Sequence, residues 1–414
     1  MYQQRTIVKS RNLLSYWILG FCNNFTYWVL ITAAVDILAR TGDASRKTAG
    51  AGVYTAPYDN FTEASLGTRE MRLQKCQTTS TGALLVAETL PAASITLSAL
   101  FFLRLPVNVR VLLVVTLCLL SYLTLAFSAY VWLDFAGVLF ASVSRGLSDI
   151  TFLAYAGQYE RDVLSTWSSG TGVATFVGPL LYSGMTSTGL NPRRALLSMV
   201  FVPLLMGLSF WVILARPHDT AEAAGRQLKQ LQARQAQPAE AKLGARLLKR
   251  LQIMRAASKF ILPLFMFYLE MYFIGSGLLE LIYFPGIWLT PSQQYNWYIT
   301  IQCFGVMLSR SGHRLFHTDR LWAPVVCQGL VLVLLLLAAC LRFLPSVWIM
   351  FAILLIQGLM EGTQFKSTMF TIYNEVDEVD REECLAMMPM SFFLPAVMSG
   401  LLAIPVHDAL CRLV

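Results

Sequence analysis

Long apolar runs recur along this chain, separated by short polar breaks. A bilayer core takes about 20 apolar helical residues, and eleven stretches come near that length: 13–38, 78–103, 107–130, 133–155, 164–186, 195–215, 260–284, 294–308, 321–343, 347–373 and 384–411. The eighth is the weakest, because QQYNWYITIQCFGVML is amphipathic, and the eleventh also reads as a half-buried stretch followed by a shorter span. The pattern therefore predicts an all-α polytopic membrane protein of about eleven transmembrane helices.

Two long polar connections divide the pattern. The first, 39–77, carries the sequon Asn60-Phe61-Thr62; the second, 216–259, is basic and rich in Gln and Ala. The expected organisation is an N-terminus 1–12, a six-helix bundle 13–215 with the loop 39–77, a linker 216–259 that is either partly helical or an unstructured loop, and a bundle of about five helices over 260–414. With the N-terminus and linker placed in the cytosol, the cytosolic connections hold most of the Lys and Arg, as the positive-inside rule requires. Asn60 then faces the lumen, where glycosylation occurs, and the second sequon at Asn24 lies inside the first span and stays bare. The start, MYQQRTIVKSRN, is basic and leads into an apolar run too long for a signal peptide.

Composition agrees. Hydrophobic residues make up 56% of 414, charged residues only 14%, and mean hydropathy is +0.56, whereas a soluble domain carries about 25% charged residues. The net charge of +8 does not imply nucleic acid, because the basic residues lie between apolar runs and not on one face. Eight scattered cysteines form no Cys-x-x-Cys pair, and Cys76 alone falls at the long first loop, so no disulfide framework is expected.

WSSGTG (167–172) looks at first like a phosphate-cradling loop. No Lys follows the glycines and no strand precedes them, so the P-loop pattern is absent. Ser169, Gly170, Thr171, Gly172, Ala174 and Gly178 instead allow close helix contact, which drives association in lipid; a direct ligand role for Ser168, Ser169 or Thr171 is the alternative.

Ionisable residues inside spans are the candidate chemistry, since a charge at the bilayer centre costs about 2.5–3.5 kcal/mol on insertion scales and needs a cavity or a partner. They are Asp36, Glu88, Arg145, Asp149, Glu270, Glu280, Glu361 and Lys366, with His407 and Asp408 near the end of the last segment. All but Glu88 among the first eight fall in segments 1, 4, 7 and 10. In a facilitator-type fold of two bundles built from three-helix repeats, those segments line a central cavity; Asn23 and Asn24 add uncharged donors and acceptors. Arg145 and Asp149 are four apart on one helix face, so they form either a structural ion pair or a site in which Arg145 clamps phosphate or carboxylate. Glu361 and Lys366, five apart, are not expected to pair, which leaves Lys366 as a second candidate cation. Glu270, in FYLEMYF, is either a hydrogen-bonded structural acid or a proton-coupling group. Asp36, near a span end, reads as solvated. His313 and His317 have i, i+4 spacing but no acidic support, so no metal site is expected. NEVDEVDREE (374–383) reads as a solvated loop, and prenylation at Cys411 fits poorly with Arg412.

A resemblance sharpens this reading. GFCNNFTYWVLITAAVDI (20–37), SRGLSDITFL (144–153), WSSGTG, YLEMYFIGSGLLEL (268–281), QQYNWYITIQCFGVMLSRS (293–311) and SGLLAIPVHDALC (399–411) together resemble the battenin family, the Batten-disease proteins of lysosomes and vacuoles. The resemblance covers nearly the whole membrane part. It implies a fold similar to the major facilitator superfamily, an endolysosomal membrane location, and export of small solutes, with glycerophosphodiesters or basic amino acids as the solute classes. The family pattern usually has a small residue where Arg145 stands and Glu where Asp149 stands. It has an acid at the position of Gln357, glycine at Glu361 and an apolar residue at Lys366; its Ser-Asp pair in the last span is replaced around 391–393. The chain is therefore a divergent member whose substrate can differ.

The function expected is secondary transport of a small polar, anionic solute by alternating access, with a membrane scaffold or trafficking role as the alternative. An enzyme is not expected, because no HExxH, GxSxG or paired-aspartate motif occurs. Substrate contacts are expected from Asn23, Asn24, Glu88, Arg145, Asp149, Glu270, Glu280, Glu361 and Lys366, with Glu270 coupling protons. The partners expected are the solute, membrane lipids and protons, with no nucleic acid, cofactor or metal.

Overall fold

The computed structural model describes residues 2–48, 72–73, 81–128, 130–216, 243–279, 281–289, 291–312 and 317–411. Each of the eleven apolar segments falls on helix: α1 (Tyr2–Thr48), α2 (Thr81–Leu97), α3 (Val107–Phe127), α4 (Val131–Ala156), α5 (Arg161–Ser187), α6 (Pro192–Ser198 and Phe201–Leu208), α7 (Leu243–Phe273), α8 (Pro291–Ser311), α9 (Trp322–Leu341), α10 (Val347–Glu375) and α11 (Glu378–Met387 and Met390–Cys411). Seven helices among the described residues are long and apolar enough to cross a membrane. Among the others, α2 is followed by a separate short helix, Ala99–Phe102, and α8 is the segment whose sequence is least apolar.

The apolar surface is where a membrane protein needs it. On α9, Trp322, Val326, Leu330, Val333, Leu337 and Leu341 are all exposed at three- and four-residue spacing, one face of a helix turned outward. A contiguous exposed apolar stripe of that length is a lipid contact, not a soluble surface.

The helices form two bundles. In the first, α1 packs along α5 and α2 along α4; in the second, α7 packs along α11 and α8 along α10. The bundles meet along two seams, α2 against α11 and α5 against α8. Small residues set the close pairs. A Cβ on Gly20 would sit 2.6 Å from the Trp167 carbonyl oxygen, and one on Gly170 would run into the Trp17 carbonyl oxygen. Gly305, Gly358 and Gly362 do the same for α8 against α10, where Gly358 faces the Gln302 carbonyl. WSSGTG is thus part of a helix-packing seam. Two two-residue strands, β1 (Arg72–Leu73) and β2 (Ile282–Tyr283), pair antiparallel with Arg72 opposite Tyr283, which ties the first loop to the α7–α8 connection.

One expectation changes. The stretch 374–383 is not a loop: α10 continues to Glu375 and α11 begins at Glu378. Glu378 and Asp380 fall in the first turn of α11, where carboxylates favour a helix N-terminus. The second part of the 216–259 linker is helical, since α7 begins at Leu243 and runs straight into the seventh span. Residues 217–242, Asn60, Cys76, Glu280 and His313 lie outside the described residues, as do the side chains of Asp36, His407, Asp408 and Cys411.

Candidate functional site

The charges assigned to one central cavity are divided between two places. The first is a cavity of about 320 Å³ inside the first bundle, walled by α1, α2 and α4 and closed by Phe393 of α11. Its polar side chains are those of Asn23, Thr26, Tyr27, Glu88, Thr89, Asp134, Ser142, Ser144 and Arg145. Arg145 is reached from α4 at the depth where Gly146 abuts Ala92 of α2, so the two helices are close enough to enclose it. Its guanidinium carbon lies 3.2 Å from the centre of the Tyr27 ring and 5.0 Å from that of Phe393, a cation–π sandwich around the charge. Its Nε has no hydrogen-bond partner among the described residues. Asp149 lies 4.0 Å from that Nε, at the outer limit of an ion pair. Asn23 donates to Asp149 at 2.6 Å and accepts from Ser148. Asn23 therefore positions the acid behind the arginine. Glu88, the charge that fell outside the segment 1, 4, 7 and 10 pattern, lies on the wall of this same cavity.

The second place joins the bundles. Arg310 of α8 is buried and forms an ion pair with Glu361 of α10. It donates to Tyr268 at 3.2 Å and to Thr171 at 2.8 Å, and lies 3.9 Å over Phe365. Tyr268 also donates to Glu361. Thr171 belongs to WSSGTG, so this arginine of the second bundle is fastened to the first. Arg310 lies beyond the apolar segment 294–308 and so reads as a loop residue in the sequence; the structure buries it, because α8 extends to Ser311. Its burial was hidden by the weak apolar signal of α8.

Other candidates have different surroundings. Lys366 is no cavity cation: it is fully buried and donates to the carbonyl oxygens of Ser309 (3.2 Å) and Gly312. It caps the end of α8, where carbonyls are left without helical partners. Asn24 is spent in the α1–α5 seam, donating to the Thr171 carbonyl at 2.9 Å and to the Thr175 hydroxyl at 2.8 Å. Glu270 faces Gly329 of α9, and its Oε2 has no partner among the described residues. His317 contacts Ser367 and Asp319, and no metal-binding cluster occurs among the described residues.

The bundles also touch on the side of the molecule where α6 ends and α7 begins. Tyr373 donates to the Tyr159 carbonyl at 2.8 Å, Arg161 lies 4.2 Å over Phe370, and Ser169 and Ser311 are 3.2 Å apart. The structure is closed on this side.

Two bundles meeting along α2–α11 and α5–α8 define a polytopic membrane protein of the major-facilitator type. The human organic anion transporter MFSD10 (TETRAN) has a similar structure, with a TM-score of 0.59, 12% sequence identity, and cover of 97% of this chain and 95% of that one. Sequence narrows the class. The CLN3 protein family model matches residues 14–413, and battenin of Canis lupus familiaris is 35% identical over 412 residues, 97% of this chain and 92% of the relative. Protein BTN1 of Yarrowia lipolytica is 27% identical over 408 residues, 96% of this chain and 94% of the relative. The chain belongs to the CLN3 protein family, and its fold is similar to that of a membrane transporter.

Proposed function

We propose that the chain exports a small polar solute bearing an anionic group from the lysosome or vacuole, by alternating access. The observation that carries the reading is Arg145. A guanidinium on a cavity wall, its Nε without a hydrogen-bond acceptor among the described residues, offers a planar fork to a phosphate or carboxylate. Similarity to battenin and BTN1 supports the lysosomal or vacuolar location. In the orientation read from the basic residues, the side on which Tyr373 meets Tyr159 and Arg161 meets Phe370 is cytosolic. Glu270, its Oε2 unpaired and close to α9, is the proton-coupling group of this reading, because only a titrating group can link proton binding to a change of state.

The test is uptake by the purified chain in liposomes, with labelled glycerophosphodiesters and basic amino acids as alternative solutes. Arg145→Gln should weaken affinity for an anion about tenfold to a hundredfold, the worth of a buried charge-assisted contact. Glu270→Gln should keep binding while flattening the dependence of transport on lumenal pH between about 5 and 7. An Arg145→Gln protein with native affinity would remove the anion clamp, and no uptake of either class by a folded wild-type chain would favour the scaffold role.

A further inference from the structure

The core of the second bundle changes character along its length. On α10, Met350, Leu354, Gln357, Glu361, Gln364 and Thr368 recur at three- and four-residue spacing, which places them on one helix face, and all are buried. Met350 and Leu354 join the apolar core made with Ile274 and Leu278, which follow α7, and with Leu335 and Ala338 of α9. The rest of the face is polar. Both amide atoms of Gln357, both of Gln364 and the Thr368 hydroxyl have no hydrogen-bond partner among the described residues, and neither has Oε2 of Glu361.

The facing helix makes the same change. Gln328, Leu335 and Ala339 of α9 are each 0% exposed and share one face, and both amide atoms of Gln328 lack a partner among the described residues. Gln328 is level with Glu270, because a Cβ on the neighbouring Gly329 would sit 3.5 Å from Glu270 Oε1. Tyr268, two residues earlier on α7, donates to Glu361, so Glu270, Gln328 and Glu361 lie near one depth. A buried polar atom left unsatisfied is costly. Each carboxamide presents a donor and an acceptor, so a cation would serve only its oxygen, whereas water serves both groups.

Resting on the reading of Glu270 as the proton-coupling group, we propose that this polar half of the core is its proton route, a file of water held by Gln328, Gln357, Gln364 and Thr368 that runs from Glu270 toward the end of α10. The proton leaves the Glu270 carboxyl, each water accepts one proton and passes one on, and Glu270 is left as carboxylate; the amides orient the waters and are unchanged. From Glu361 to Thr368 the helix rises roughly 10 Å, about four waters at ordinary hydrogen-bond spacing. The charged and titratable groups facing the file are Glu270 and Tyr268 of α7, Arg310 of α8 and Glu361 of α10, while α9 turns Gln328 to it. Arg310 and Glu361 neutralise each other, so a proton in transit meets no net charge. Met350 and Leu354 close one end. Ile372, one turn beyond Thr368 and fully buried, closes the other, on the side where Tyr373 meets Tyr159.

The experiment follows the Glu270 carboxyl by infrared spectroscopy on the full chain in lipid nanodiscs, with protons and deuterons as the probes. Its band is assigned by its loss in Glu270→Gln. The wild-type band should rise promptly after an acidifying pH jump and shift promptly in heavy water. Gln364→Leu and Thr368→Val each remove a link and should slow both responses at least about tenfold, the rate equivalent of one lost hydrogen bond. Leu354→Met, on the apolar half, should leave the rates unchanged. Gln357→Met and Gln364→Met test hydration itself: replacing a dry orphaned amide stabilises, replacing a hydrated one does not, so neither should melt above wild type. Wild-type rates in Gln364→Leu and Thr368→Val, equal slowing by Leu354→Met, or a higher melting temperature in either Met variant of the two glutamines would overturn the route. Native pH dependence of transport in Glu270→Gln, with exchange still slowed by Gln364→Leu, would remove the coupling role and leave the route standing. A wild-type carboxyl that fails to exchange in heavy water overturns the route without any variant, so the test decides even where a variant does not fold.

Discussion

The buried pair between the bundles gives the strongest prediction. Replacing Glu361 with Leu leaves the Arg310 guanidinium buried with Tyr268 and Thr171 as its only hydrogen-bond acceptors among the described residues. Breaking a buried pair by removing one partner costs about 3–5 kcal/mol, because the remaining charge is uncompensated, which is two to three and a half decades in the folded-to-unfolded ratio. Arg310→Met should cost a similar amount: it strands Glu361, already without a partner at Oε2, and removes the 2.8 Å bond to Thr171. The double variant should be milder than either single one. With both charges gone no desolvated ion remains, and the residual loss is the bond to Thr171, about 1 kcal/mol. The coupling expected is therefore at least about 5 kcal/mol, read from a double-mutant cycle of reversible unfolding in mixed micelles. Additive losses, or single variants within about 1 kcal/mol of wild type, would refute the view that Arg310 is held by Glu361 as a charge in a low-dielectric seam.

Three further outcomes follow from other contacts. Gly170→Ala should lower stability by about 1–3 kcal/mol, since its Cβ meets the Trp17 carbonyl and backbone must move; thermal melting should show this before any change in solute preference. Lys366→Met should lower melting temperature with unchanged solute affinity, because the lysine serves the Ser309 and Gly312 carbonyls; a selective loss of affinity would return it to the binding site. Lys9 donates to Asp162 and Glu160, 2.8 and 2.7 Å away, which raises its pKa above the ordinary lysine value, Asp162 contributing most. A raised folded value gives stability that is complete below the unfolded value and lost only as pH rises through the folded one. Lys9→Met should therefore leave the stability profile between pH 5 and pH 8 unchanged in shape, and its small effect should fade with salt.

The fold was legible because lipid enforces a coarse rule. Every span must hold a long apolar helix, and even the weak segment at 294–308 became α8. The close seams were legible from WSSGTG, whose small residues have one obvious physical use. Side-chain partnerships were not legible. Arg145 and Asp149 were paired by their spacing on one helix, whereas Glu361 found its partner on α8, 51 residues earlier, and no periodicity reports a contact between helices. Arg310 and Lys366 exchanged roles for the same reason. One was counted as a loop charge and lies in the seam; the other was taken for a cavity cation and caps a helix. Glu88 was identified as a buried charge, but its place beside Arg145 needed the α2–α4 packing. The acidic run at 374–383 misled because its composition is that of a loop, while its carboxylates suit a helix start.

The two charged places are connected by a continuous run of contacts. Arg145 lies 5.0 Å from the Phe393 ring, Phe393 lies 4.8 Å from Phe392, and Phe392 lies 5.8 Å from Tyr268. Tyr268 donates to Glu361, which holds Arg310, which in turn donates to Thr171 of the other bundle. A solute can drive alternating access only by binding one state better than the other. An anion drawn to Arg145 competes with the aromatic sandwich that now satisfies the guanidinium, so occupancy acts on Phe393, the residue through which the second bundle closes the cavity. Tyr268 then sits between that displacement and the ion pair across the seam. Contact alone does not establish coupling, but it fixes where coupling has to be sought: between Phe393, which senses the cavity, and Arg310, which holds the bundles together.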